Sequence, residues 1–329
     1  MREQFYSLLH IPNVRAVGIG YKWQNGKPTR RTAVVVFVEK KLPTQSLSAH
    51  ETVPLEVAGM ETDVEEIGEL RLLAAPRQQK MRPAMPGVSI GHRSVTAGTL
   101  GAIVFDRSTG EPLILSNNHV LANRTTGKDG RARIGDPILQ PGAYDGGTAP
   151  QDVIGTLYRF VPLNLDIEES TCPIASLAAL YINRFIKLYR PYYVMRFYRR
   201  VQSRNTVDCA VAKPVRPSDV TPEILEIGPI RGVLQPEVGM TVRKSGRTTG
   251  VTEGTVRAVS ATARIDMGDN VTALFEDQFI TTPMSKGGDS GSLVLDTKNN
   301  AVGLVFAGSE LATVCNNIAN VLDALNVRF

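Results

Sequence analysis

Cysteine and histidine are both scarce in this chain of 329 residues. The three cysteines, Cys172, Cys209 and Cys315, are an odd number without Cys-x-x-Cys spacing. This excludes a disulfide framework or a zinc site and favours free thiols in a reducing compartment. The four histidines are too scattered to form a metal-ligand cluster. We therefore expect no metal and no other cofactor.

Long apolar runs are missing as well. No stretch of about 18 uncharged apolar residues occurs, so the sequence predicts no membrane-spanning helix. The first residues include Glu3 and lack the apolar segment of a secretory signal. The chain is therefore expected to be cytoplasmic. Lys and Arg number 37 against 32 Asp and Glu, and a net charge of +5 does not by itself predict nucleic-acid binding.

The amino-terminal part of the chain has strand patterns. Residues 14–21 and 32–38 are β-branched runs, and the Asn25-Gly26 pair between them indicates a hairpin. Further extended segments follow, and the stretch has an acidic end that includes Glu69. Residues 1–73 are therefore predicted to form a small α+β unit.

The rest of the chain divides into a linker and a larger domain. Residues 74–87 are basic and contain prolines, as a linker does. In residues 88–329, short strand-like runs alternate with Gly, Asn, Asp and Pro turns, which favours an all-β sandwich or barrel. Residues 312–325 have the apolar spacing of a helix.

Residues 163–205 interrupt the strand pattern of the larger domain. Residues 174–189 have helical apolar spacing, and residues 192–200 mix aromatic with basic side chains. Membrane-surface contact through residues 174–200 and nucleic-acid contact are two interpretations. We favour a third, in which a helical insertion packs on the larger domain. This insertion is expected to gate a cleft or to mediate contact between copies in a homo-oligomer.

A Gly-Asp-Ser-Gly sequence at residues 288–291 is the strongest chemical signal. A serine hydroxyl becomes a nucleophile when a base removes its proton, and flanking glycines let a substrate carbonyl approach the backbone. The N–H groups of Gly288 and Ser290 are then candidates to bind an oxyanion. The alternative is an ordinary β-turn, since Gly, Asp and Ser are all common turn residues.

Two more residues supply what such a serine requires. An apolar strand ends close to His119, and histidine is the usual general base near neutral pH. Asp208 stands in a short apolar run, where a charge is costly without a partner, and His119 is the partner we expect. The alternatives are a structural histidine and a strand-edge aspartate that faces water.

The order His119, Asp208, Ser290 with these local sequences resembles the trypsin/chymotrypsin-like serine peptidases. Residues 244–250 (KSGRTTG) look like the second-barrel segment of small bacterial members. A closer resemblance, to bacterial relatives of the plant Narrow Leaf peptidases, rests on residues around His119 (SNNHVLA), 135–142 (GDPILQPG) and 302–309 (VGLVFAGS).

The resemblance implies a mainly β, chymotrypsin-like double β-barrel with the catalytic triad in the cleft between barrels. His119 would be general base and then acid, Asp208 its orienting carboxylate and Ser290 the nucleophile. The amides of Gly288 and Ser290 would form the oxyanion hole. The expected reaction is acyl transfer to serine followed by hydrolysis, which makes the chain a serine endopeptidase acting on proteins or peptides.

The resemblance also places a substrate pocket and reveals departures. Met284 stands where the family has the base of the primary pocket, and Phe306, Ala307 and Gly308 form its wall. Met284 predicts a preference for an apolar substrate side chain in this pocket. A negative charge from Glu310 would reverse that preference. The alternative for Met284 is ordinary packing in the core. Phe306 replaces a serine that supports the aspartate in relatives.

No Ile-Val-Gly-Gly start is visible, so activation by a new amino terminus is not indicated. The enzyme would be either constitutively competent or controlled by another segment. Two other functions remain open: a catalytically silent peptide-binding or scaffold module on the same fold, and an esterase, because the same triad cleaves esters.

Overall fold

The chain forms two compact units in the computed structural model, Met1–Leu73 and Ala74–Phe329. The structure describes residues 2–24, 26–48, 50–68, 76–202, 204–268 and 271–329. The change from one unit to the other and the acidic Glu69 lie outside these ranges. Within them no helix is long and apolar enough to cross a bilayer.

The first unit is a helix with a four-stranded sheet of order β1-β2-β4-β3. β1 and β2 form the predicted antiparallel hairpin, and Gly26 in its turn has a φ of +74°. β4 then pairs in parallel with β2. The small α+β extension is therefore confirmed. Its elements are α1 (Arg2–Leu9), β1 (Val14–Gln24), β2 (Lys27–Val38), a 3-10 turn (Thr44–Ser46), β3 (Glu56–Val57) and β4 (Met60–Glu66).

The second unit is mainly β, as predicted. Its strands are β5 (Ser89–His92), β6 (Gly98–Thr99), β7 (Ala102–Asp106), β8 (Pro112–Ser116), β9 (Pro137–Leu139), β10 (Val153–Phe160), β11 (Ile167–Glu169), β12 (Tyr198–Arg200), β13 (Ala210–Pro214), β14 (Gly232–Val233), β15 (Thr241–Gly246), β16 (Gly250–Asp266), β17 (Thr272–Thr281), β18 (Leu293–Asp296), β19 (Asn300–Gly308), β20 (Thr313–Asn317) and β21 (Val327–Arg328). Its helices are α2 (Asn118–Leu121), α3 (Pro173–Tyr189) and α4 (Ile318–Ala324), with 3-10 turns at Pro76–Gln78, Ala143–Asp145 and Pro217–Asp219.

The first barrel is a sheet whose two ends are joined by one stretch of chain. Its strand order is β21-β7-β8-β13-β10-β9-β5-β6. β6 and β7 stand near opposite ends of this order, yet residues 98–106 run directly from one to the other. The Gly101 N–H, between them, donates to the carbonyl of Leu115 in β8 at 2.9 Å. The sheet therefore closes on itself, which removes exposed strand edges.

The second barrel closes by strand pairing. Its order is β14-β19-β18-β15-β16-β17-β20, and β19 pairs with β20 as well as with β18. Strands β15 to β20 thus form a ring. Its interior is apolar, with Val242, Val256, Phe279, Met284 and Val294 buried together.

Two predictions about the second unit are wrong. Residues 76–87 of the proposed linker belong to the barrel unit, where Arg77 and Ala84 are buried and the Ala84 N–H donates to Asp219 O. Residues 312–325 are not one helix, because Thr313–Asn317 is strand β20 and only Ile318–Ala324 is helical. β20 forms ladders with β17 and β19, and these hydrogen bonds override the helical spacing.

The insertion contains the predicted helix, α3, followed by a strand that pairs with β11. The prediction that this helix packs on the barrels, however, is wrong. No residue of α3 is buried. Its apolar spacing therefore does not mark a contact with the barrels.

Candidate active site

Adjacent strands of the first barrel bring His119 and Asp208 together. Ser116 ends β8, Ala210 begins β13, and the two residues are paired in the antiparallel ladder. His119 follows in the short helix α2, and Asp208 precedes β13 by two residues. Antiparallel neighbours bring the end of one strand beside the start of the next, so both side chains lie at the same edge of the barrel.

Asp208 and His119 form a close pair. Asp208 Oδ2 lies 2.5 Å from His119 Nδ1, and Asp208 Oδ1 accepts the backbone N–H of His119 at 3.2 Å. Asp208 is fully buried, whereas the His119 side chain is 22% exposed. A buried carboxylate needs such partners, and in return it fixes the orientation of the imidazole ring. His119 Nε2 is then the nitrogen left for a reacting group.

The side chain of Asn316 holds the backbone of Asp208. The Asp208 N–H donates to Asn316 Oδ1 at 3.0 Å, and Asn316 Nδ2 donates to Asp208 O at 3.3 Å. Asn117 Nδ2 donates to the same carbonyl at 2.7 Å. Phe306, which replaces the expected serine, instead packs on Phe275 with ring centroids 4.7 Å apart. The sequence reasoning missed Asn316, since it stands 108 residues after Asp208.

The Ser290 turn rests against the first barrel. Gly288 and Gly291 have φ angles of +95° and +92°, which non-glycine residues rarely adopt. Thr99 donates through its N–H to Ser290 O and through Oγ1 to Gly288 O, each at 2.8 Å. A Cβ on Gly98 would lie 2.4 Å from Val120 Cγ2 and 3.0 Å from Ser290 O. The Ser290 backbone is therefore close to the segment that carries His119.

Thr248 orients the amide of Gly288. Its Oγ1 donates to Gly287 O at 2.8 Å. In a trans peptide the C=O and N–H point in opposite directions, so the Gly288 N–H points away from Thr248. Among the described residues, the N–H groups of Gly288 and Ser290 donate to no acceptor. Both amides are thus free to bind an anionic oxygen.

The hydroxyl of Ser290 makes no hydrogen bond to His119 across the part of the chain that the structure describes. The structure therefore joins Asp208 to His119 and brings the Ser290 backbone near them, without a bond from the serine hydroxyl to the imidazole. Apo sites often have such long separations, which shorten when substrate binds.

Asp289, beside Ser290, is held by a buried lysine. Lys244 Nζ lies 3.1 Å from Asp289 Oδ2, and both side chains are 0% exposed. Burial lowers the pKa of Lys244. Burial alone would raise the pKa of Asp289, but Lys244 and the donors from Thr248, Thr249 and Lys286 outweigh it and hold that pKa below its usual value. The ion pair anchors the Ser290 turn from inside the second barrel.

Sequence reasoning missed the role of Lys244, although it singled out residues 244–250. The signal was there, because Lys244 shares one face of β15 with Val242 and Gly246, and the last three residues of this strand are all buried. A lysine in such a position requires an acidic partner. The sequence did not show which of many carboxylates that partner is.

The predicted pocket wall lines a cleft. A cavity of about 470 Å³ is bordered by His119, Asp208, residues 264–267 and residues 306–309. Ser290 is not among its lining residues. Phe306, Ala307 and Gly308 therefore share a cavity with His119, and the nucleophile candidate lies outside it.

Met284 is 4% exposed and packs in the core of the second barrel, as its alternative interpretation expected. Its neighbour Ser285 was missed. A Cβ on Gly308 would lie 3.1 Å from Ser285 Oγ, and that hydroxyl is 2.9 Å from Thr313 Oγ1. Hydroxyl groups, not the exposed Glu310, are thus the polar groups beside the glycine of the wall.

Comparison with known proteins gives likeness of fold only. No family model and no curated protein matches the chain. Among solved structures, it is similar to Thermobifida fusca Protease A (16% identity, 74% of this chain and 96% of that one, TM-score 0.46). It is also similar to Nocardiopsis Protease (16% identity, 74% of this chain and 97% of that one, TM-score 0.46). A third similar structure is a glutamic acid specific serine protease (19% identity, 74% of this chain and 99% of that one, TM-score 0.46). At these identities and TM-scores the likeness assigns no residue role.

Proposed function

We propose that the protein is a serine endopeptidase with His119, Asp208 and Ser290 as its catalytic triad. One observation carries the proposal: the buried Asp208 and the partly exposed His119, 2.5 Å apart, lie at the barrel edge against which the Ser290 turn packs. The unbonded amides of Gly288 and Ser290 add the oxyanion site that acyl transfer requires. The chain's likeness in fold to solved proteases agrees with this function.

In this mechanism His119 Nε2 takes the proton of Ser290 Oγ as the oxygen attacks a peptide carbonyl. The N–H groups of Gly288 and Ser290 hold the resulting oxyanion. His119 then gives its proton to the leaving amine, and a water activated by the same imidazole hydrolyses the acyl-enzyme. Asp208 stays ionised and stabilises the imidazolium.

The proposal includes constitutive competence. Lys244 already pairs with Asp289 beside Ser290, so the turn has a buried ion pair that needs no newly formed amino terminus. The substrate is a protein or peptide, one side chain of which would enter the cleft beside residues 306–308. A cytoplasmic location is also part of the proposal, since all three cysteines are free. The relation to the bacterial relatives of the Narrow Leaf peptidases stays a prediction from the motifs.

One observation favours the alternative, a catalytically silent peptide-binding module. Among the described residues, Ser290 makes no hydrogen bond to His119. A module of this kind would retain the cleft beside residues 306–309 without turning over a bound peptide.

A fluorophosphonate probe tests the proposal, because it reacts only with an activated serine. We expect labelling of the full chain, loss of labelling in Ser290→Ala and His119→Gln, and unchanged labelling in the control Ser218→Ala, an exposed serine in a 3-10 turn. No labelling of the folded chain would support the silent module. Turnover of matched peptide and ester substrates then separates a peptidase from an esterase, and a peptide library tests Met284 against Glu310 as the source of specificity.

A further inference from the structure

The insertion exposes a large apolar surface. Helix α3 has no buried residue, and one side of it carries five large side chains that are more than half exposed. These are Leu177 (55%), Leu180 (64%), Tyr181 (66%), Phe185 (65%) and Leu188 (75%). Their spacing of three and four residues places them on one face of the helix. Exposed apolar patches of this kind mark surfaces that contact another protein or a membrane.

The opposite side of α3 is occupied by the chain that returns toward the barrels. Asn183 Nδ2 donates to Met195 O at 2.9 Å, and the Met195 N–H donates to Asn183 Oδ1 at 2.7 Å. The strands β11 and β12 close the base of this hairpin. The helix therefore has a fixed orientation within the insertion, and its apolar side faces outward.

The charged residues of the insertion after Glu169 all have one sign. From Ser170 to Asn205 the sequence contains seven Lys and Arg residues and no Asp or Glu. Arg196 and Arg199 pair with Glu169 and Glu168 at the base of the hairpin. In the part of the chain that the structure describes, Arg184, Lys187 and Arg190 form no ion pair. By helical spacing Arg184 lies within the apolar side, four residues after Leu180 and four before Leu188, and Lys187 lies at its edge. Arg190 follows the last residue of α3. We name these three cations and the five apolar side chains the insertion face.

We propose that the insertion face docks on an anionic lipid bilayer. An interfacial helix places aliphatic and aromatic side chains at the acyl boundary and its cations among the headgroups. The insertion face has both parts, and four exposed tyrosines, Tyr181, Tyr189, Tyr192 and Tyr193, supply interface-seeking rings. The docking does not depend on the proposed peptidase chemistry.

The same residues disfavour other occupants. Exposed leucines gain nothing from a phosphate backbone, so a nucleic acid would leave Leu177, Leu180 and Leu188 in water. A symmetric contact between two copies would bring the same uncompensated cations of each face together, since such an interface uses one patch twice. An anionic bilayer satisfies the leucines and the cations at once.

Docking would also fix the cleft relative to the membrane. Leu163, where the insertion leaves the barrel, packs with Phe275 and Phe306. Asp166 Oδ2 accepts from Thr272 Oγ1 at 2.5 Å, and its N–H donates to Thr272 O. The root of the insertion therefore adjoins residues that border the cleft, and the docked protein would meet its substrates at the bilayer surface.

Vesicle sedimentation tests the proposal with the full chain in the Ser290→Ala background. Vesicles are made of phosphatidylcholine alone or with phosphatidylserine. We expect binding only to the anionic vesicles and release by salt. Replacing Arg184, Lys187 and Arg190 by Gln should weaken partition about a hundredfold, at about fivefold per cation. Leu177→Ser with Phe185→Ser should weaken it at least roughly tenfold.

A matched control removes three exposed cations elsewhere in the same unit: Lys128→Gln, Arg231→Gln and Lys298→Gln. This variant should retain most of the binding. A second readout uses Cys172, which is exposed just before α3, whereas Cys209 and Cys315 are buried. A polarity-sensitive dye on Cys172 should shift to the blue with anionic vesicles and stay unshifted with neutral ones.

Several results would overturn the proposal. Absence of binding to anionic vesicles at low salt would do so, as would equal loss of binding in the control variant. A dimer that Leu177→Ser with Phe185→Ser converts to a monomer would assign the face to a second copy of the chain. Because sedimentation needs no turnover, these outcomes are distinct from a failure of the proposed peptidase activity.

Discussion

Substitution of Lys244 by methionine should strongly destabilise the barrel unit. Methionine keeps most of the volume of the lysine stem but removes the only full positive charge within hydrogen-bond distance of Asp289 among the described residues. At 3.1 Å the ion pair has a Coulomb energy of about 5 kcal/mol with an effective dielectric constant of about 20. Removal of one partner of a buried pair costs about 3–5 kcal/mol in measured cases. The Coulomb energy of the pair therefore agrees with the measured cost of losing such a pair.

Four hydrogen bonds limit this loss. Asp289 also accepts from the N–H groups of Thr248, Thr249 and Lys286 and from Thr249 Oγ1. We therefore expect a loss of about 3–4 kcal/mol in the free energy of unfolding, a large fraction of the roughly 5–15 kcal/mol typical of a domain. The double variant Lys244→Met with Asp289→Asn removes both charges of this pair, and it should recover at least half of this loss.

The dependence on pH gives a second readout. The pKa of Asp289 is held below its usual value, so its ionised form stabilises the fold above the unfolded pKa. This contribution is lost as the pH falls through the lower folded pKa. Without Lys244, burial dominates and the pKa of Asp289 rises. Acid unfolding of Lys244→Met should therefore begin at a higher pH than that of the parent chain.

Urea unfolding followed by far-ultraviolet circular dichroism measures the effect. The single tryptophan, Trp23, lies in the first unit, so its fluorescence does not report on the barrels. The Ser290→Ala background prevents self-cleavage during the titration. A loss below about 1 kcal/mol in Lys244→Met would refute the reasoning, since that is the range of exposed ion pairs. So would a double variant that is no more stable than the single one.

Three further predictions concern the support of the site. Thr248→Val removes the donor to Gly287 O, so kcat for a peptide should fall roughly tenfold with little change in KM, while Thr248→Ser should retain activity. In Gly98→Ala the new Cβ would lie 2.4 Å from Val120 Cγ2, so urea titration should show a loss of about 1–3 kcal/mol in the free energy of unfolding. The control Gly18→Ala, whose new Cβ would meet no neighbour, should leave that free energy unchanged. Asn316→Leu leaves the buried Asp208 N–H without its acceptor, and thermal unfolding should show a loss of about 1–3 kcal/mol.

Local patterns predicted most of the fold class. β-branched runs and turn residues repeat over short distances, and the Asn25-Gly26 hairpin and the many short strands followed from them directly. The failures came where distant chain segments decide the structure. Thr313–Asn317 has helical spacing, but it closes the second barrel by pairing with β17 and β19. No local pattern reveals that two distant strands offer unpaired edges.

The candidate site divides in the same way. His119, Asp208 and Ser290 stood out because each is a reactive residue in an unusual local sequence. Lys244 and Asn316 act on residues 45 and 108 positions away, and only the folded barrels reveal these partners. The insertion shows the converse. Its apolar spacing correctly predicted helix α3, but spacing alone does not say what covers the apolar side, and the barrels do not.

The contact between the two barrels decides between an enzyme and a silent module. His119 and Asp208 belong to the first barrel, whereas Ser290 lies in a turn of the second. Thr99 of the first barrel joins the two barrels. Its N–H donates to the carbonyl of Ser290 and its Oγ1 to the carbonyl of Gly288. The same Oγ1 accepts the Arg247 N–H at 3.0 Å. Intact motifs in both barrels would give no catalysis if this contact kept the Ser290 hydroxyl from His119. Activity therefore depends on how far substrate binding can draw these two groups together, and the sequence of neither barrel determines that distance.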